Sequence, residues 1–266
     1  MTISILGCGW YGLALAKTLI SKGITVKGST TSAEKLPILT GAGIEAHLLD
    51  LSTQITNAVF FDCDVLIIAI PPKARSEEGA SYVPKLQIAI DDINAYGVKK
   101  VILISSTGVY SDPNAEVNEL THPQPDAVSG KVLWEAEDLF RQQTNFKTTI
   151  IRFGGLIGPG REPGRFFAGK KDIPNGLAPV NMIHLNDCIG VTEAIINQDV
   201  FGCTINACTP HHPQKSLFYA RAAAKAGLSA PEFIPELNEW KIVSSVNIPQ
   251  ILNYQYRIQN WNDWLA

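Results

Sequence analysis

The chain has 266 residues, 45% of them hydrophobic, and a formal net charge of −3. That suits one large α/β domain, or a core domain with a smaller lobe, and the near-neutral charge argues against nucleic acid or a membrane surface as partner. Cysteines 8, 63, 188, 203 and 208 are scattered with no C-x-x-C pair, which points to reduced, mostly buried thiols in a cytoplasmic protein. Residues 3–16 imitate a signal peptide, and Ile5-Leu6-Gly7-Cys8 a lipoprotein cleavage site. No basic stretch precedes them, however, and no run of the sequence is long enough to span a membrane.

Thr2-Ile3-Ser4-Ile5-Leu6 reads as a β-branched strand, followed by the G-x-G-x-x-G turn Gly7-Cys8-Gly9-Trp10-Tyr11-Gly12 and a helix that ends at Gly23. Gly7 makes the tight turn, Gly9 lets the backbone approach a pyrophosphate, and Gly12 lets the helix lie close to the strand. Amide groups at the helix start then face the phosphates. A second strand is expected over residues 24–28, a third over 44–49 and a fourth over 65–70, the last apolar on both faces as a central parallel strand should be. A long helix over 77–96, capped by Ser76, leads to a fifth strand over 101–106. A helix over 130–143 and a sixth strand over 148–153 follow. The expectation is a doubly wound parallel Rossmann sheet in residues 1–155. Residues 156–266 form a smaller, interleaved substrate lobe, which returns a core helix (186–198, capped by Asn186 or Asp187) and strand (201–208) to the sheet. A helix over 216–226 and an aromatic tail with Tyr254, Tyr256, Trp261 and Trp264 complete it.

The end of the second strand selects the cofactor. NAD-binding folds usually place an acid there to bond the ribose 2′-OH. This chain has Gly28-Ser29-Thr30-Thr31-Ser32 instead. Hydroxyls can donate to a 2′-phosphate, Thr31-x-x-Glu34 reads as a capping box that aims the next helix at it, and Lys35, with Lys27, adds charge. NADP is therefore the expected cofactor and NAD the second choice. The cofactor set is Gly7, Gly9, Trp10, Tyr11, Gly12, Thr30, Thr31, Lys35, Asp50, Leu51, Ala69, Ile70 and Lys131. Asp50 suits an adenine amine or a turn cap.

Further motifs run through nearly the whole chain: Ser105-Ser106-Thr107-Gly108-Val109-Tyr110, Lys131 with Glu135, Arg152-Phe153-Gly154-Gly155-Leu156-Ile157-Gly158-Pro159, and Asn181-Met182-Ile183-His184-Leu185-Asn186-Asp187. With the glycine turn they resemble the extended or atypical short-chain dehydrogenases/reductases of the nucleotide-sugar epimerase/dehydratase group, including small bacterial epimerase-like proteins that carry G-C-G-W near the N-terminus. The resemblance implies hydride exchange between a nicotinamide and a carbonyl or alcohol carbon. Two departures stand out. A further family glycine would fall at Leu6. The family's catalytic Tyr-x-x-x-Lys keeps Lys131 but has Ala127 where the tyrosine belongs. Alanine can neither transfer a proton nor hydrogen-bond.

The catalytic candidates are therefore Ser106 and Thr107 to polarise a substrate oxygen, Lys131 to hold the nicotinamide ribose, and Tyr110 as replacement phenol. His184 has a suitable pKa but reads as support for the substrate lobe, and Asp126 is loop-borne. Arg161, Arg165, Lys170 and Lys171 are either anion binders over a small anionic substrate or a solvated basic loop. Arg152 reads as a partner for a core carboxylate. Cys208, His211 and His212 fit no structural zinc spacing. The resemblance also implies a homodimer through the helices over 77–96 and 130–143, with Ile88, Ile90, Ile93, Leu133, Leu139 and Phe140 as apolar surface. The alternative to an NADP-dependent oxidoreductase or epimerase is a dinucleotide-binding sensor or scaffold without turnover.

Overall fold

The computed structural model describes residues 1–52, 57–72 and 81–266. A seven-stranded parallel sheet forms its centre, in the order β10-β7-β5-β4-β1-β2-β3. These strands are β1 (Thr2–Leu6), β2 (Thr25–Thr30), β3 (Glu45–Leu48), β4 (Val65–Ile68), β5 (Lys100–Ser106), β7 (Lys147–Phe153) and β10 (Thr204–Ala207). β1 pairs with β2 on one side and β4 on the other, and β4 pairs with β5, all parallel. The helices between them are α1 (Trp10–Ser21), α2 (Leu36–Gly41), the short α3 (Ala58–Phe61), α4 (Tyr82–Tyr96) and α5 (Val128–Arg141). The chain divides into two compact units. One comprises residues 1–109, 125–151 and 195–204, the other residues 110–124, 152–194 and 205–266.

In the first unit, β1 and β4 are the strands with least exposure. Ile3, Ile5, Leu66, Ile67 and Ile68 have none, because both faces of a central parallel strand are covered. Leu15 and Leu19 bring the apolar stripe of α1 into that core. α4 is described from Tyr82 onward, and Ser76, the expected cap, lies outside the described residues. α4 and α5 pack on each other. Ile90, Ile93, Leu133 and Phe140 are buried, while Ile88 and Leu139 are half-buried.

β2 runs two residues beyond its expected end, to Thr30. Ser29 and Thr30 are therefore strand residues rather than loop, and strand alternation turns Ser29 inward, where it is buried. The expected capping box is not formed. Ser32 N–H donates to Thr30 Oγ1 at 3.1 Å, a 3-10 turn occupies Ala33–Lys35, and neither it nor the six-residue α2 has a side-chain cap. The threonine that closes a local turn is Thr30, and a helix that short has too few aligned peptides to direct a dipole at a ligand.

In the second unit, two small parallel pairs escape the sequence pattern. β6 (Ala115–Val117) pairs with β11 (Lys241–Val243), and β8 (Gly155–Ile157) with β9 (Met182–His184). Asn181 clamps the region. Its amide donates to Lys241 O at 2.9 Å and its oxygen accepts from Val243 N–H at 2.8 Å. Helices α6 (Leu185–Asn197), α7 (Lys215–Lys225) and α8 (Trp261–Leu265) follow. Ile157, Val180, Phe218, Tyr219, Trp261 and Leu265 form this unit's core.

α6 begins at Leu185, before both residues expected to cap it. Asp187 has another role. Its buried carboxylate accepts from Tyr254 Oη at 2.8 Å, from Arg257 N–H at 2.7 Å and from Ile258 N–H at 3.2 Å, so it pins the aromatic tail. All five cysteines are free, and no helix among the described residues is long and apolar enough to cross a membrane.

Candidate functional site

The G-x-G-x-x-G turn closes β1 and opens α1. Gly7 has φ +103°, a conformation that a side chain would strain, and a Cβ there would meet Ile70 Cγ2 at 2.9 Å. A Cβ at Gly12 would overlap the Gly7 carbonyl oxygen, so this glycine sets how closely the helix approaches the strand. At Gly9 a Cβ would meet nothing within 4 Å, although Gly9 lines the cleft. Open space over a glycine, beside a helix start, is what a pyrophosphate cradle requires.

Ser29 holds this turn in place. Its Oγ accepts from Gly7 N–H at 2.9 Å and its carbonyl accepts from Cys8 N–H at 2.8 Å. From the sequence, Ser29 reads only as one of the hydroxyls that could meet a 2′-phosphate. The Cys8 side chain packs where a Cβ on Gly28 would lie, and burial pushes its thiol up to about 12.

The turn opens onto a cleft of about 510 Å³. Of the expected cofactor residues, Gly7, Gly9, Thr30, Thr31, Lys35, Asp50, Leu51 and Ile70 line it. Trp10, Tyr11, Gly12, Ala69 and Lys131 are not among its lining residues. Tyr11 is buried, and Ala69 N–H donates to Leu6 O at 2.9 Å, joining β4 to β1. Cys8, Ser29, Leu49, Pro71, Pro72, Tyr82 and Lys85 also line the cleft. Asp50 does cap a turn, since its Oδ1 accepts from Ser52 N–H at 3.0 Å. Lys27 is committed elsewhere. Its buried ammonium donates to Val59 O and Asp62 O, both at 2.6 Å.

At the end of β5, Ser106 Oγ accepts from Gly108 N–H at 3.1 Å, and Thr107 is buried. Gly130 fixes the start of α5 against this turn, because a Cβ there would overlap the Gly108 carbonyl oxygen. Ser105 Oγ, one residue before, donates to the buried Glu137 carboxylate of α5 at 2.6 Å, and Arg141 donates to the other carboxylate oxygen. The Ser105 contact fixes α5, and with it Lys131, against the end of β5, while the Arg141 contact lies within α5 and holds the Glu137 carboxylate in place. Ala127 is the N-cap residue of α5 and is exposed.

Tyr110 belongs to the second unit, and its phenol is engaged there. It donates to Asn118 O at 2.8 Å, lies 3.1 Å from Asn206 Oδ1, and accepts from Arg152 at 2.6 Å. Arg152 also stacks over the ring at 5.0 Å, and its guanidinium is buried. Burial raises the Tyr110 pKa despite Arg152. His184 Nδ1 accepts from Asn186 N–H at 3.2 Å, and burial lowers its pKa. His211 Nδ1 accepts from Trp261 N–H at 3.0 Å.

Arg161, Arg165, Lys170 and Lys171 are all exposed. Lys171 pairs with Glu232 at 3.0 Å, Arg165 lies 3.9 Å from Glu162, and Lys170 sits 5.5 Å from the Phe167 ring.

Comparison with known proteins agrees with this geometry. A model of the NAD(P)H-binding family matches residues 7–180. Over 262 residues the chain is 34% identical to "Protein YeeZ" of Escherichia coli (strain K12), spanning 96% of this chain and 95% of YeeZ. Among solved structures, a functionally unknown conserved protein from Silicibacter pomeroyi DSS matches with a TM-score of 0.83 at 23% identity, over 99% of this chain and 96% of that one. UDP-glucuronic acid 4-epimerase from Bacillus cereus, in complex with UDP-glucuronic acid and NAD, matches with a TM-score of 0.83 at 18% identity, over 100% of this chain and 96% of that one.

Proposed function

The chain belongs to the NAD(P)H-binding family, and from that premise we propose that it is an NADP-dependent oxidoreductase or epimerase acting on a carbonyl or alcohol carbon of a small anionic substrate. The observation that carries the cofactor choice is the end of β2. Ser29, Thr30, Thr31 and Lys35 line the cleft there, and none of them is an acid that would repel a 2′-phosphate. Gly7 to Gly9 and the start of α1 hold the pyrophosphate, the apolar wall of Leu49, Leu51, Ile70, Pro71 and Pro72 takes the base, and Asp50 reaches the adenine amine.

The nicotinamide supplies hydride transfer when bound. Ser106 and Thr107 hydrogen-bond the reacting oxygen, and Lys131 holds the ribose. With Tyr110 tied to Arg152 and Asn206, and Ala127 in the place of the family tyrosine, the proton comes from water rather than from a phenol. Nucleotide sugars are the first class to screen, because the B. cereus relative in fold binds UDP-glucuronic acid.

Calorimetric titration with NADP and NAD, each oxidised and reduced, tests the proposal. Preference for the phosphorylated pair supports it and leads to a carbonyl screen with NADPH. Preference for NAD reassigns Thr30, Thr31 and Lys35. The engaged Tyr110 phenol also favours a second reading, a cofactor-binding sensor without turnover. That reading gains if NADPH binds but no oxidation responds to Ser106→Ala. A homodimer through α4 and α5 would draw on Ile88 and Leu139, and light scattering measures it.

A further inference from the structure

The cleft holds a cation that the preceding assignment does not use. Lys85 lies on α4, lines the cleft and is half-buried. Its ammonium has no hydrogen-bond or ion-pair partner among the described residues. Three other lysines of this unit are engaged, Lys27 by two carbonyls, Lys100 by Asp199 at 2.5 Å, and Lys99 by Asn145 O at 3.4 Å, and Lys85 shares the cleft lining with Lys35. Among the described residues the single carboxylate lining the cleft is Asp50, which already accepts from Ser52 N–H. A half-buried ammonium with no counter-ion among the described residues is a charge that an anion in the cleft would pair.

The position of Lys85 is fixed rather than incidental. Tyr82 Oη donates to Ile70 O at 3.3 Å, which ties the first turn of α4 to the carboxyl end of β4. Lys85 stands three residues further along, so it shares the face of α4 that Tyr82 turns toward the cleft. The rest of that wall, Ile70, Pro71 and Pro72, is apolar and offers an anion nothing. An ammonium on a flexible stem suits phosphate oxygens.

We propose that Lys85 binds a phosphate of the dinucleotide from the α4 side of the cleft, in addition to Lys35 beyond β2. This rests on the reading of the cleft as a dinucleotide site. Both the diphosphate and the 2′-phosphate present the required chemistry.

The test is calorimetric titration of NADPH and NADH into wild type, Lys85→Met, Lys85→Gln, Lys85→Arg and Lys35→Met at several salt concentrations. Melting of each protein without cofactor serves as the folding control. The expected result is about tenfold weaker binding in Lys85→Met and Lys85→Gln, a shallower salt dependence, recovery in Lys85→Arg and unchanged melting. Weakening for both cofactors assigns Lys85 to the diphosphate, and weakening for NADPH alone assigns it to the 2′-phosphate. Either supports the proposal. Wild-type affinity and salt dependence in both neutral variants overturn it and leave the dinucleotide reading intact. Failure of the wild type to bind either cofactor overturns both.

Discussion

Two alanine substitutions in the glycine turn separate cofactor binding from folding. Gly9 has φ −81° and ψ −154°, a backbone that alanine adopts without strain, and its Cβ would meet no atom within 4 Å. As the N-cap residue of α1 it loses at most about 1 kcal/mol on replacement by alanine. In a protein of this size that lowers Tm by no more than about 4 °C. The new methyl group, however, stands where a pyrophosphate must approach. Displacing one charge-assisted hydrogen bond of about 1.5–3 kcal/mol weakens binding about 10- to 100-fold. Gly12→Ala behaves differently. Its Cβ overlaps the Gly7 carbonyl oxygen, which is backbone and cannot rotate away. Overpacking costs about 1–3 kcal/mol, and the better helix propensity of alanine returns about 1 kcal/mol, so a net loss of up to about 2 kcal/mol remains. Gly12→Ala therefore lowers both Tm and affinity, whereas Gly9→Ala lowers affinity nearly alone. Differential scanning calorimetry of the cofactor-free proteins and titration with NADPH measure the two effects. A Gly9→Ala protein that binds NADPH at wild-type Kd would refute the cradle.

Ser29→Ala leaves Gly7 N–H without its acceptor, so urea unfolding should show a loss of about 1–3 kcal/mol together with weaker cofactor binding. An unchanged midpoint would mean that Ser29 does not hold the turn. Asp187→Ala strands the Tyr254 hydroxyl and two backbone amides, and the expected cost is about 3–5 kcal/mol with early proteolysis of the tail. Wild-type proteolysis would count against that anchor. His184 and His212 are held below the usual histidine range chiefly by burial, so the unfolded chain takes up their protons first as pH falls. Stability is complete above about pH 6.5 and is lost as pH drops through the lowered folded values. Replacing both by glutamine should flatten the dependence of ΔG on pH below 6.5, and an unaltered slope would rule these groups out. The Cys8 thiol, pushed up to about 12, should resist iodoacetamide at pH 8 until the protein unfolds, a point that mass spectrometry of the labelled peptide decides.

What could be read in the sequence was what depends on local spacing. The glycines of residues 7–12 declare themselves because strand, turn and helix lie within twenty residues, and Gly12 answers to Gly7 in the same motif. The apolar run of β4 is legible because burial on both faces removes alternation. Features built across the chain were not. Ser29 serves Gly7 from 22 residues away, and Asp187 serves residues 67 to 71 positions further on, so each looked like a loop residue or a cap. The capping box is a local feature that nevertheless does not form, and the hydroxyl that closes the turn there belongs to Thr30. β6, β8, β9 and β11 contain three residues each, too few to show a period of two.

Tyr110 shows why the catalytic half of the molecule is harder to assign than the cofactor half. A cofactor cradle is made of backbone amides and missing side chains, and its geometry survives changes elsewhere as long as Gly7, Gly9 and Gly12 keep their places. A proton donor is one oxygen that must be free to exchange. Tyr110 lies four residues beyond Ser106, which made it the natural substitute for a tyrosine at 127, but proximity in sequence says nothing of where its hydroxyl is spent. In the structure, Asn118, Asn206 and Arg152 surround that oxygen, and burial holds its proton more firmly still. Ala127, by contrast, is exposed at the start of α5 and leaves room for a larger side chain. If NADPH oxidation is limited by proton supply, Ala127→Tyr should accelerate it, because the new phenol would precede Lys131 at family spacing. Tyr110→Phe should act on stability instead, by removing the hydroxyl that accepts from Arg152 and donates to Asn118 O. A large loss of turnover in Tyr110→Phe with unchanged melting would return the proton to Tyr110 and remove water from the mechanism.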